Sequence, residues 1–299
     1  MTSSRARASR HRPDRRLPGF PLIRVEKSAG VTRFVMARSV LGRDLYRAAC
    51  YLVDGLLVDT GMAHVGKALF GCLESENVQA IVNTHSHEDH IGCNAALQET
   101  RGIPVYAHPL AIPVIGDPSI LALRPYQRFF FGYPRPSNAV PAGFTISTGR
   151  RDFRVMQTPG HSPDHISIYD EERGWLFCGD AYFGNRERVL RADYDVWEMI
   201  GTFRSLAALP LETLYTGTGA VVLHPARRIQ RKLEYLLETA NRVWSLREAG
   251  LDAGRIARRL FPSDLAIRTF TSGHFSAENL VRSFLARQPG AIPSRNISA

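Results

Sequence analysis

Three histidines fall within six residues in the run His85-Ser86-His87-Glu88-Asp89-His90, directly after the apolar stretch VQAIVNT. Alternate residues of an extended segment face the same way, so His85 and His87 can point at one ion. Asp89 and His90, where the chain turns towards a helix, can face a second ion nearby. Neutral imidazoles with carboxylates suit zinc, iron or manganese. A lone histidine is usually a packed or surface residue, but three at this spacing are hard to explain by packing. Two further segments supply what such a site would lack. The Pro-Gly turn of Thr158-Pro159-Gly160-His161 presents His161 at the end of DFRVMQ, and Cys178-Gly179-Asp180 ends a hairpin where Asp180 could bridge two ions. Each signal is weak alone; in this order, all at strand ends, they reinforce one another.

These residues need a scaffold whose strands finish at one edge. LIRVE, TRFVMA, AACYLV and LLVDTG read as strands, and Asp54-Gly55 joins AACYLV to LLVD as a hairpin. A helix over AHVGKALFGCLES leads to the strand VQAIVNT, then a helix over IGCNAALQET and the strand IPVYAH. The segment from Pro109 to Ala142 is rich in proline and aromatics, including Tyr126, Phe129, Phe130, Phe131 and Tyr133. It reads as an insertion packed on the core, or more pointedly as a wall of a substrate pocket. DFRVMQT, HISIYD and WLFCGD follow as strands, then a helix around Val196 to Leu209 and the strand TLYTG. From Pro225 the chain turns helical through ARRIQRKLEYLLETANRVWSL, DAGRIARRLF and SAENLVRSFLAR, and no internal repeat is evident.

The chain has 299 residues, 44% hydrophobic and 22% charged, which are globular proportions and argue against a disordered or fibrous protein. No apolar run is long enough to span a bilayer, and the Arg-rich start lacks the apolar core of a secretory signal, so a cytoplasmic location without membrane attachment is expected. The four cysteines stand singly and are expected to be buried thiols. The formal net charge of +10 raises the question of a nucleic-acid partner. Arg5, Arg7, Arg10, Arg12, Arg15 and Arg16 place much of it in residues 1–18, expected to be a disordered basic arm. All but three of the 38 basic residues are arginine, a bias better explained by a GC-rich genome than by a phosphate-binding face. Nucleic acid is therefore disfavoured but left open, and a small molecule is the expected partner.

The pattern HxHxDH, then PGH, then GD resembles the metallo-β-lactamase superfamily over about residues 22 to 225. TPGHSPDH followed by a GDA hairpin is most similar to its glyoxalase II, lactonase and β-lactamase-like protein 2 branches. The resemblance implies an α/β fold, a four-layer αββα sandwich of two mixed sheets, as a catalytic domain over residues 19–225. A small C-terminal helical, winged-helix-like module over 226–299 is implied less specifically. It assigns His85, His87 and His161 to a first metal, Asp89 and His90 to a second, and Asp180 to the bridge. The cofactor would be zinc, two ions when both sites fill, with iron or manganese as alternatives. The implied activity is a metal-dependent hydrolase in which an activated water or hydroxide cleaves an ester, thioester, lactone or related bond. Asp89 would orient the nucleophile or carry its proton, and Tyr182 would donate a hydrogen bond to the intermediate as a tyrosine does in lactonases.

One position departs from the pattern. Members usually carry a last histidine in a GHG strand-end motif, where this chain reads Gly217-Thr218-Gly219. A neutral hydroxyl is a poor zinc ligand, so Thr218 should weaken the second site. His224 and His274 are candidate replacements, with surface or capping roles as the plainer alternative, and His165 reads as supporting the site without ligating. Two other activities stay open, the first favoured by the departure and the second by the basic charge and the resemblance. One is a mononuclear non-haem iron oxygenase of persulfide-dioxygenase type built on His85, His161 and Asp180. The other is a ribonuclease of the β-lactamase-like protein 2 kind. A homodimer is left open.

Overall fold

A computed structural model describes residues 22–40 and 43–288; the expected basic arm over 1–18 and the last residues of the expected C-terminal module lie outside them. The first sheet has seven strands in sequence order: β1 (Leu22–Ser28), β2 (Val31–Val40), β3 (Arg43–Val53), β4 (Leu56–Val58), β5 (Ala80–Val82), β6 (Val105–Ala107) and β7 (Ala139–Pro141). Neighbours are antiparallel up to β4 and parallel from β4 to β7. Antiparallel pairing of β3 with β4 follows from the Asp54-Gly55 turn, where both residues take positive φ, 48° and 86°. Those angles match the twist of a two-residue hairpin and suit Asp-Gly. The parallel strands require crossovers, supplied by α1 (Gly66–Leu73), α2 (Asn94–Arg101), and α3 (Ile112–Gly116) with α4 (Pro125–Phe131).

The second sheet has six strands, β8 (Thr145–Ser147), β9 (Asp152–Gln157), β10 (Ile166–Asp170), β11 (Trp175–Phe177), β13 (Thr213–Tyr215) and β14 (Val221–Leu223), with the two-residue β12 (Leu190–Arg191) outside it. Its order is β14-β13-β11-β10-β9-β8, and only β11 and β13 run parallel. α5 (Val196–Ala207) is the crossover between them. Asp195 caps it, accepting from the Trp197 and Glu198 amides at 2.8 and 3.2 Å, a cap of a kind that contributes about 1 kcal/mol.

Period-two alternation sorts the side chains into layers. On β3, Ala49, Tyr51 and Val53 face the second sheet and meet Phe153, Ile168 and Phe177, while Cys50 and Leu52 face outward onto Leu69 and Leu73 of α1. The outer face of the second sheet, with Tyr169, Leu176 and Leu214, is covered by α5, α6 (Ala226–Glu248), α7 (Ala253–Leu260) and α9 (Ala277–Leu285). The result is the four-layer αββα sandwich. The short α8 (Leu265–Phe270) and β15 (Phe275–Ser276) complete the described chain, and β15 pairs with β12, tying the C-terminal segment to the loop after Asp180. Buried Lys232 of α6 makes a second tie, its Nζ bonding Glu187 of that loop. Among the cysteines, Cys50, Cys93 and Cys178 are buried free thiols as expected, whereas Cys72 on the outer face of α1 is only half-buried. Among the described residues no helix is long and apolar enough to cross a membrane.

Candidate metal centre

The C-terminal ends of β4, β5, β9, β11 and β13 all finish at one edge of the sandwich, and each delivers a polar residue there. β5 leads into Thr84 and His85. β9 leads into the Pro159-Gly160 turn, where Gly160 has φ of 127° and a Cβ would lie 2.4 Å from Met199 Cγ and 2.6 Å from its amide, so only glycine lets His161 pass α5 this closely. β11 leads into the tight turn Gly179–Ala181 carrying Asp180, and β13 into Thr216–Gly219.

The imidazoles converge. His85 Nε2 and His161 Nε2 each lie 2.9 Å from His87 Nδ1. A second trio, His85, His90 and Asp180, has ligand atoms within 4.8 Å of one another, and all five residues are buried. Asp180 Oδ2 stands 3.4 Å from His90 Nε2 and 3.6 Å from His161 Nε2, and Asp89 Oδ2 stands 3.8 Å from His90 Nε2.

Behind this cluster a single carboxylate sets the ring tautomers. Asp59 Oδ2 accepts from His90 Nδ1 at 2.8 Å and from Thr84 Oγ1 at 2.8 Å, and Asp59 Oδ1 accepts from the Thr84 amide at 2.8 Å. With its proton given to Asp59, Thr84 Oγ1 accepts from His85 Nδ1, 3.0 Å away. Both rings therefore turn Nε2 inward, His85 with a bare lone pair. His165 acts on Asp180: its Nε2 accepts the Asp180 amide at 3.1 Å while its Nδ1 meets Thr158 Oγ1 at 2.8 Å. This is the supporting part expected of it.

Electrostatics fit the same picture. Burial, followed by the neighbouring imidazoles and Arg191, holds His85, His87 and His161 well below the usual histidine range. Burial lowers His165 to about 4. Burial also opposes a charge on His90, but Asp180, Asp59 and Asp89 outweigh it and raise this ring well above 6.5. Burial raises Asp89. His90 Nε2, fully buried, has no hydrogen-bond partner. With no ion bound, the carboxylates keep a second proton on this ring, so Nε2 faces Asp180 Oδ2 at 3.4 Å as an N–H; a divalent cation would take that proton's place, and His/Asp donors suit zinc, iron or manganese. The residues present fit a metal: His85, His87 and His161 would hold one ion, and His90 and Asp180, with Asp89 at the rim, would serve a second; His85 also falls in a trio with His90 and Asp180, but its one Nε2 lone pair serves one ion at a time.

Three expectations are corrected by placement. Tyr182 directs its hydroxyl to Asn185 Oδ1 at 2.7 Å and its ring to Phe203, inside the cluster beneath β11, so it is not the phenol at the site. Tyr46 and Tyr194 are: Tyr46 donates to Asp89 Oδ2 at 2.9 Å, and the Tyr194 hydroxyl is 3.2 Å from His161 Nε2. His224 lies at the opposite end of β13, paired with exposed Glu212 at 3.0 Å, and does not replace the missing histidine. His274 meets Tyr126 at 2.7 Å at the site's mouth, and no metal-binding trio among the described residues includes it. Thr218 Oγ1 bonds Thr216 Oγ1 at 3.0 Å. Asp59, Thr84, Tyr46, Tyr194 and Arg191 were not singled out in the sequence.

The family model described as metallo-beta-lactamase superfamily matches residues 43–218. A beta-lactamase-like protein 2 homolog of Caenorhabditis elegans is 26% identical over 61% of this chain and 58% of its own length. A hydroxyacylglutathione hydrolase of Rhodospirillum rubrum is 30% identical over 56% of this chain and 55% of its own. The chain thus spans a little over half of each of these two relatives. Among solved structures, a metallo-beta-lactamase family protein of Thermus thermophilus superposes with a TM-score of 0.64 at 22% identity, covering 88% of this chain and 94% of that one, a likeness of fold.

Proposed function

The chain belongs to the metallo-β-lactamase superfamily, and we propose that it is a metal-dependent hydrolase acting on an ester or thioester carbonyl of a small molecule. The observation that carries this reading is the buried, unpartnered His90 Nε2, with His85 and Asp180 around it and Asp59 fixing its tautomer. Similarity to hydroxyacylglutathione hydrolases supports the thioester class. A divalent metal bound at such a site makes a water molecule acidic enough to act as a nucleophile near neutral pH and polarises a carbonyl.

The remaining work falls to the chain's own side chains. Asp59 and Thr84 keep His85 and His90 presenting Nε2. Asp89, held by Tyr46, is the carboxylate placed to orient the attacking water and accept its proton. The Tyr194 hydroxyl, beside His161, is placed to donate to charge developing on the substrate oxygen.

A second reading is favoured by one specific feature: His85, His90 and Asp180, in place of the His85, His161 and Asp180 expected from the sequence, make a two-histidine, one-carboxylate set, the composition of mononuclear non-haem iron oxygenases. Metal analysis of protein purified without added salts, combined with a panel of esters and thioesters, separates the two. Zinc with thioester or ester turnover supports the hydrolase. A single iron with dioxygen consumption and no ester turnover replaces it.

A further inference from the structure

Within the proline- and aromatic-rich insertion, α4 turns one face inward: Gln127, Phe130 and Phe131, spaced i, i+3 and i+4, are buried. The helix is pinned at both ends. Arg124, just before it, donates from Nη1 to the Thr271 and Ser272 carbonyls at 3.1 Å each, and the Tyr126 hydroxyl lies 2.7 Å from His274 Nδ1. At the other end His64 Nε2 is 3.0 Å from the Arg128 carbonyl oxygen. This insertion is therefore a fixed wall, and its inward face meets the metal cluster.

A glutamine between phenylalanines on that face needs a reason, because burying an amide costs free energy unless its polar ends are bonded. Gln127 is only 4% exposed. Its Oε1 accepts the Arg124 amide at 3.0 Å, the reach-back from the third helical residue that ties down a first turn. The other end leaves the helix. Gln127 Nε2 donates to Glu88 Oε1 at 2.8 Å, and Glu88 Oε2 is buried without a hydrogen-bond partner. Glu88 stands between His87 and Asp89 in the chain, so this one amide anchors the run that carries both. The same helix reaches Asp89 a second way. Phe131 meets Tyr46 edge-on with 4.7 Å between ring centres, and the Tyr46 hydroxyl donates to Asp89 Oδ2 at 2.9 Å. Asp89 is thus held from α4 through its neighbouring residue and through its own carboxylate.

We infer that Gln127 is a positioning residue for Asp89, so that one helix sets both the wall of the pocket and the carboxylate at the rim of the metal cluster. This rests on the hydrolase reading for its effect on turnover, though not for its effect on metal binding. The test measures zinc affinity by competition with a chelator, and kcat and KM on the preferred ester or thioester. Gln127→Ala should weaken zinc binding about tenfold, the lower end for loss of an outer partner at a metal site. It should also lower kcat about tenfold and leave KM near that of wild type, because a misplaced orienting group slows the chemical step. A role confined to holding the helix would lower the unfolding temperature and move neither zinc affinity nor kcat. Glu88→Gln combined with Gln127→Glu exchanges donor and acceptor, rebuilds the bond and should recover both quantities. If Gln127→Ala does not fold, Gln127→Met, of similar length and without the amide, takes its place. Unchanged zinc affinity and kcat in the single variant overturn the assignment, as does an exchanged pair no better than Gln127→Ala. If wild type binds zinc but turns over no ester or thioester, the hydrolase reading fails and the zinc affinities alone decide the role of Gln127.

Discussion

Asp59 Oδ2 lies 2.8 Å from His90 Nδ1, and through Thr84 the same carboxylate orients His85. One acid therefore governs both the ring with the orphaned nitrogen and the ring common to both donor trios. Asp59→Asn preserves the shape but presents an amide that can donate to His90 Nδ1 and drive the proton to Nε2. Metal affinity should fall about tenfold to a hundredfold, as it does when the outer partner of a ligating histidine is lost. Competition against a chelator measures this; an unchanged affinity removes the tautomer argument.

Gly217 marks how tightly Asp180 is enclosed. A Cβ at this position would sit 2.0 Å from Asp180 Oδ1 and 2.9 Å from His90 Cε1. Gly217→Ala should displace the carboxylate and lower metal occupancy while the far-ultraviolet circular dichroism stays that of wild type. Full occupancy in the variant would mean that Asp180 has room the structure does not give it.

Thr218 occupies the place where the resemblance led to a histidine, and its hydroxyl is turned to Thr216. Thr218→His should raise the metal stoichiometry at the second donor set, read by elemental analysis after dialysis. If the count does not change, the shortage of ligands at that set lies elsewhere.

His165 links the site to acid stability. Its pKa is about 4 in the folded protein, and about 6.5 is ordinary for an unfolded chain. Between those values the unfolded chain binds the extra proton, so stability is full above about pH 6.5 and is lost as pH falls towards 4, by at most about 1.4 kcal/mol per pH unit for this one group. Urea titrations of metal-free protein across that range should show the decline, and His165→Gln should make it shallower by up to about 1.4 kcal/mol per pH unit, the rest of the slope coming from His85, His87 and His161. A parallel decline in the variant would assign the effect to other groups.

How much of this was legible beforehand depended on how local the signal was. His85, His87 and His90 are contiguous, and the DG turn and PGH loop carry their geometry in two or three residues, so the metal cluster and the hairpin could be read directly. Asp59 could not be told from a turn aspartate, because its partners lie 25 and 31 residues further on. Tyr182 was misplaced because nearness in sequence to Asp180 does not decide which side of an extended residue faces the site. Tyr46 and Tyr194 looked like core aromatics, since only tertiary packing shows where a hydroxyl ends. The β12–β15 pairing involves two residues on each side, too few for any periodicity to register.

His85 is the one histidine shared by both donor trios, whereas His87 belongs to only one. The most direct measurement is therefore zinc bound per chain in wild type, His87→Ala and His85→Ala, each refolded or purified in the presence of excess zinc and then dialysed. Wild type should retain zinc, and His87→Ala and His85→Ala should each lose the ion held with His161. A wild type that holds no metal, or a His85→Ala protein that keeps the wild-type content, would contradict the central claim that these side chains converge to bind it.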